Sequence, residues 1–180
     1  ENPGEVRIGV APKGSGPYLS VMQLEELLDV DFNVITYAGS SSAEAEALLS
    51  GELDAAISSL GDFSGLLSSG DAKGVVELTA VQNATYTDVP TLKSKGHDLQ
   101  TGSFIVLAAP ANTPDDVVET LETTFKAAYD TAEFQDWLAQ IGVTADWLGS
   151  DDVVTWIDDL QTKTFKVMDD LNLHRRADAE

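Results

Sequence analysis

The first eighty residues repeat one pattern three times: a short apolar strand, a loop of small residues, then an amphipathic helix. Val6-Arg7-Ile8-Gly9-Val10 alternates as a strand does and runs into Ala11-Pro12-Lys13-Gly14-Ser15-Gly16-Pro17. Leu19, Met22, Leu24, Leu27 and Leu28 then recur at helical spacing, with Glu25, Glu26 and Asp29 on the other side. Residues 32–36 read as a second strand, followed by Tyr37-Ala38-Gly39-Ser40-Ser41-Ser42 and a helix that Ser50-Gly51 closes. Residues 53–58 read as a third strand, with the loop Ser59-Leu60-Gly61-Asp62 and a short helix behind it. Units of about thirty residues or less are the arithmetic of right-handed βαβ crossovers. The expectation is an α/β lobe with a parallel or mixed sheet, helices on both faces and residues 73–78 as a fourth strand.

The pattern changes after Thr79. Asp88-Val89-Pro90-Thr91-Leu92 leads into a helical stub ending at Gly96, and residues 103–109 form an apolar run of strand length. From Thr113 the chain reads as helical, with Thr113 as N-cap and Pro114, Asp115 and Asp116 in the first turn. A last helix is expected to be capped by Ser150-Asp151-Asp152. Phe125, Trp137, Trp156 and Phe165 lie on an apolar stripe of these helices, best read as core packing that requires a partner surface. We therefore divide the chain into an α/β lobe, 1–100, and a crossover strand with a helical C-terminal segment, 101–180.

Composition narrows the function. With 31 acidic and 10 basic side chains the formal charge is −21, which disfavours phosphodiester backbones and anionic membranes, so no nucleic-acid partner is expected. The 43% hydrophobic content is enough for a core. There is no cysteine, which removes disulfides, thiolate metal sites and cysteine nucleophiles. No apolar run approaches the roughly 18 to 20 residues of a membrane-spanning helix. The chain opens Glu1-Asn2-Pro3-Gly4-Glu5, without a signal peptide or an initiating methionine, and reads as a processed or excised piece. Aspartate outnumbers glutamate and lysine is scarce, the balance expected of a salt-adapted protein working where the Debye length is about 3 Å.

Enzyme templates fail in turn. His97 and His174 sit in polar, charged surroundings, no serine occupies a G-x-S-x-G elbow, and no Walker loop exists. The adjacent aspartate pairs, such as 115/116 and 151/152, diverge by about 100° on a helix and cannot share a proton. No cofactor or metal is implied. Three small-residue loops remain, which an open parallel sheet gathers at the carboxyl ends of its strands. Their serine hydroxyls and helix-start amides could form an uncharged anion receptor. The same loops are equally readable as tight turns and helix caps.

Tyr37-Ala38-Gly39-Ser40 followed by Leu49-Ser50-Gly51-Glu52-Leu53-Asp54 resembles the Y-x-G-(S/G)…L-x-G-x-(V/L)-D signature of tripartite tricarboxylate transporter receptors, the TctC/Bug-type extracytoplasmic solute-binding proteins. Gly14-Ser15-Gly16, the segment 88–92, the stretch 102–114 and the Phe134…Leu138…Gly142 helix agree in order. The resemblance implies a periplasmic-binding-protein type II-like lobe, half of a two-lobed clamp that closes on a di- or tricarboxylate and delivers it to membrane permease subunits, with no catalysis. It implies an extracytoplasmic location, in the periplasm or on the outer face of the cell membrane, a lipid anchor on the full-length protein included. It also implies a first lobe with a glycine-rich P-G-G-x-x-D loop, to which nothing here corresponds. Carried over, Gly14, Ser15 and Tyr18 face the cleft from the first loop, Tyr37, Gly39 and Ser40 from the second, and Ser58 and Ser59 from the third. Ser103 and Phe104 lie near the interlobe crossover, Phe104 standing where the family has Trp, and Ser58-Ser59 where it often has Asn or Asp. Asp54 reads as structural, holding a strand or turn. Asn83-Ala84-Thr85 is a glycosylation sequon, useful only in an exported protein.

Two rival readings remain. One is a carboxylate-processing enzyme on the same loop edge, which gains if Asp62 is buried with a serine in hydrogen-bond reach. The other is an interaction module, a homodimer formed through the C-terminal stripe.

Overall fold

Ile8 and Val10 alternate with Arg7 and Gly9 along β1 (Arg7–Val10), and the alternation decides which face is buried. Ile8 is 5% exposed and Val10 fully buried. The computed structural model describes residues 3–38, 41–101, 105–143, 146–171 and 173. In it β1 is the middle strand of a parallel three-stranded sheet of order β2-β1-β3, with β2 at Asn33–Thr36 and β3 at Ala55–Ala56. Arg7 pairs with Asn33, and Ile8 with both Val34 and Ala55. Amides just past the strands continue the ladder: Tyr37 donates to Val10 at 2.9 Å and Ile57 to Gly9 at 3.0 Å.

α1 (Gly16–Leu28) joins β1 to β2, and α2 (Ser41–Ser50) joins β2 to β3. The chain steps one way across β1 and then back, so right-handed crossovers set the two helices on opposite faces. Tyr18, Leu19 and Val21 of α1 pack with Ile8 and Val10. On the other face the missing side chain of Gly9 makes room for Leu53, whose Cδ1 lies 2.2 Å from where a Cβ would stand. Leu53 is buried and its amide donates to Ala47 of α2 at 3.1 Å. A 3-10 turn, Leu60–Phe63, then leads into α3 (Ser64–Ser69), which Gly70 ends at φ 80°.

The fourth strand expected at 73–78 does not form. Glu77 bridges Thr91 instead, giving its amide to Pro90 and accepting that of Leu92, while Val75 is 77% exposed. The segment finds a partner in its own neighbourhood and never reaches the sheet edge. The helical stub is a 3-10 turn, Lys93–Lys95, ended by Gly96 at φ 91°. Residues 103 and 104 lie outside the described residues, and 105–109 form no strand. Ile105 there is wholly exposed, and among the described residues no strand pairs with the run.

Three helices follow: α4 (Asp115–Tyr129), α5 (Ala132–Gln140) and α6 (Ser150–Asp170). Pro114, one residue later than expected, takes the N-cap position of α4, and Thr131 caps α5 with its hydroxyl on the Phe134 amide. Ser150 does not cap α6. Its amide and hydroxyl instead donate to Glu122 of α4 at 3.2 and 2.6 Å, so one helix supplies the anion at the start of another. Val167 of α6 joins the core of β1 and α1. The aromatic stripe is not core among the described residues: Phe125, Trp137 and Phe165 are each about half exposed and Trp156 is partly buried, while α4 has no buried residue.

Candidate functional site

Because all three strands run in parallel, the loops leaving Val10, Thr36 and Ala56 emerge at one edge, where α1, α2 and the 3-10 turn begin. The first loop is built as a helix start. Gly14 is exposed at φ 85°, a conformation that glycine adopts without strain. Ser15, partly buried, is the N-cap of α1, its Oγ accepting the Tyr18 amide at 3.3 Å. Pro17 has no N–H and the Tyr18 amide is taken, which leaves the Gly16 amide and the hydroxyl hydrogen of Ser15 as donors. Tyr18 itself belongs to the core beneath.

In the second loop, Gly39 and Ser40 lie outside the described residues, as do Ser103 and Phe104 near the crossover. The hydroxyl of Tyr37 donates to Glu52 Oε1 at 3.1 Å, beyond the far end of α2, so it ties two connections together instead of facing the loops. Burial, then the bond to Glu52, raises the phenol above its ordinary pKa.

The third loop departs from an uncharged receptor. Ser58 and Ser59 both donate to Asp62 Oδ2, at 2.6 and 2.7 Å. Partial burial pushes the Asp62 carboxyl up, but the hydroxyls of Ser58, Ser59 and Ser41 and the Ser59 amide outweigh it and hold it below its usual range. Asp62 has the serine contacts of the enzyme reading without the burial, since it is exposed. A carboxylate held anionic by serine hydroxyls is a poor general base.

Glu44, in the first turn of α2 at this edge, escaped the sequence reading. It is 3% exposed, and its Oε2 has no hydrogen-bond partner among the described residues. Burial, then the charge of Asp62, raises its carboxyl above the ordinary value. Its spacing from Ala47 and Leu48 puts it on the inward face of α2, a signal that was available in the helical period. Among the described residues no group of three or more His, Cys, Asp or Glu side chains could hold a metal ion.

Parallel βα loops converge at one edge, the usual place for a ligand in an open parallel sheet. The family model for the tripartite tricarboxylate transporter family receptor, TctC, matches residues 1–173, and the chain belongs to that family, one of receptors and not of enzymes. The fold is similar to a TctC solute-binding protein from Polaromonas, solved without ligand, at TM-score 0.82 and 23% identity over 93% of this chain and 58% of that one. It is also similar to an R. palustris protein solved with adipate (TM-score 0.70, 24% identity, 93% of this chain and 56% of that one). The periplasmic binding protein BugD is a third such structure (TM-score 0.61, 20% identity, 94% and 57%). At these identities the likeness shows the fold. The chain spans a little over half the length of each of these relatives.

Proposed function

We propose that this chain is one lobe of an extracytoplasmic receptor that captures a small di- or tricarboxylate and hands it to the permease subunits of a tripartite transporter. The observation that carries the reading is the start of α1, where the Ser15 hydroxyl and Gly16 amide stand at a positive helix end, on the edge shared by the other two loops. Adipate, in the R. palustris relative, is a ligand of this class. Capture is by uncharged donors, which suits a chain whose net charge of −21 repels anions in bulk. We assign Ser40 and Ser103 to the same cleft, with Gly14, Gly39 and Phe104 shaping it, and Tyr18 and Tyr37 supporting it from behind.

The rest of a receptor of the relatives' length forms the opposing lobe and covers the exposed faces of α4 and α5. Closure of the two lobes excludes water and strengthens each hydrogen bond to the ligand. Alone, the chain binds weakly. The acid-rich surface is adapted to high salt, so the lobe is most stable there.

The test is calorimetric titration of adipate, succinate and citrate into this chain and into the full-length gene product, each in molar and in millimolar salt. The expected result is a Kd in the range of about 1 mM or weaker for the chain, at least about a hundredfold tighter for the longer protein, and loosening of the fold as salt is removed. No heat from any carboxylate with the longer protein ends the receptor reading. Submicromolar binding by the chain alone ends the closure account, and salt-independent stability ends the salt adaptation.

A further inference from the structure

Gly61, inside the 3-10 turn that carries Asp62, lies directly against the end of α5. A Cβ placed on Gly61 would stand 2.5 Å from the carbonyl oxygen of Ile141, closer than a side-chain carbon can approach a backbone atom. Its φ lies outside the left-handed region, so the close approach, and not the turn, requires glycine. Gly142 is buried and meets Gly61 in return: its own Cβ would lie 3.5 Å from the Cα and the amide nitrogen of Gly61, and 3.4 Å from Tyr86 Cε2. This second glycine does need a left-handed backbone, at φ 70°, because it ends α5 just past the Ile141 cap.

Two bonds from the 82–86 connection fix the same helix end. Asn83 Nδ2 donates to the Gly142 carbonyl at 3.1 Å, and the Thr85 hydroxyl to that of Ala139 at 3.0 Å. α5 is thus pinned by one connection and meets another, backbone to backbone, at the loop edge. A crowded side chain can turn away, whereas two main chains in contact shift together. Around Gly61 the turn is tightly tied: Ser58 and Ser59 donate to Asp62 at 2.6 and 2.7 Å, and the Ser64 hydroxyl to the Gly61 carbonyl at 2.9 Å. A displaced Gly61 carries the third loop with it.

We infer that the end of α5 is a lever on the third loop: the seating of the C-terminal helices sets the positions of Ser58, Ser59 and Asp62 through Ile141, Gly142 and Gly61. Resting on the receptor reading above, the lever gives lobe closure a route to the loop edge, since the opposing lobe covers α4 and α5. Coupling of this kind is reciprocal, so a change at either end is felt at the other.

Amide hydrogen exchange in the full-length gene product, without ligand, tests the lever from both ends. Gly61→Ala is expected to speed exchange about tenfold at the bonded amides of Ile141, Gly142 and Val143, while β1 and α1 keep their rates. Gly142→Ala is expected to do the same at Asp62 and Ser64. Should a glycine variant fail to fold, Thr85→Val removes an exposed hydroxyl bond to α5 and is expected to raise exchange at Asp62 and Ser64 about threefold. Rates unchanged at the far end, or raised evenly over the molecule, overturn the inference. Where the unmodified protein binds adipate, Thr85→Val is expected to weaken it about threefold, and an unchanged Kd overturns the route to the ligand. If no carboxylate binds, the receptor reading ends and the exchange rates alone decide the lever.

Discussion

At Arg7 one guanidinium satisfies two strands. Its Nε and Nη2 donate to the two oxygens of Asp54 at 2.9 and 2.8 Å, and its own amide adds a third bond at 2.9 Å. Those bonds hold the Asp54 carboxyl down to about 2. A depressed carboxyl contributes stability that is fully present above the unfolded value, about 3.9, and is lost as pH falls through the folded value. Asp54→Asn is therefore expected to lower Tm at pH 7, modestly because both side chains are well exposed, with the deficit shrinking between pH values of about 4 and 2. Melting curves of both proteins across that window check it, and a gap that stays constant down to pH 2 refutes it. Asp54 was legible as a structural residue because it falls at the start of the strand read at 53–58. The partner was not, because Arg7 lies 47 residues away and only the sheet brings them together.

Helices α4 and α5 are held by polar joints more than by buried surface. Asn83 is 2% exposed, and its Nδ2 donates to Gly142 at the end of α5 at 3.1 Å. Its Oδ1 accepts the amides of Thr85 and Tyr86, and the Thr85 hydroxyl reaches Ala139 at 3.0 Å. The residue that a three-letter motif offers to a sugar is thus the bolt between the 77–92 connection and α5. Its own amide donates to the Glu77 carboxylate. Asn83→Ala leaves several of these groups unsatisfied and is expected to cost about 2 kcal/mol, measured by urea denaturation. A loss under about 0.5 kcal/mol, the range of ordinary surface changes, would show that the joint is idle. Nothing in the local pattern reveals this role, since a buried and a glycosylated Asn-x-Thr have the same spelling. The periodic elements were easier: α1 and α2 declare themselves by apolar spacing and by the Gly or Asp that ends each. Residues 73–78 and 105–109 are apolar enough for strands, but a strand exists only beside another: the first reaches no further than the Glu77–Thr91 bridge, and the second has no paired strand among the described residues.

For the whole molecule the question is how far the first hundred residues stand apart from the rest. Val167, 7% exposed, packs with Ile8, Val10 and Tyr18, so the end of α6 is part of the core that begins with β1. Val167→Ala is expected to cost about 2 kcal/mol, by loss of buried methyls and the cavity they leave. A near-neutral effect in thermal unfolding would mean that α6 is an appendage of the opposing lobe. On α4, by contrast, truncating Phe125 to Ala removes little from this chain, because that side chain is 46% exposed. The order of strand, small-residue loop and helix is local information, and it was enough to determine a parallel sheet and the common edge of three loops, while the motifs at 37–40 and 49–54 carried the resemblance to a receptor family. Which polar groups pair across the molecule is not local. Ser58 and Ser59 give their hydrogens to Asp62, only four and three residues on, but Asp54 meets Arg7 from 47 residues away and Asn83 meets Gly142 from 59. Such partners are distant along the chain, and packing chooses them.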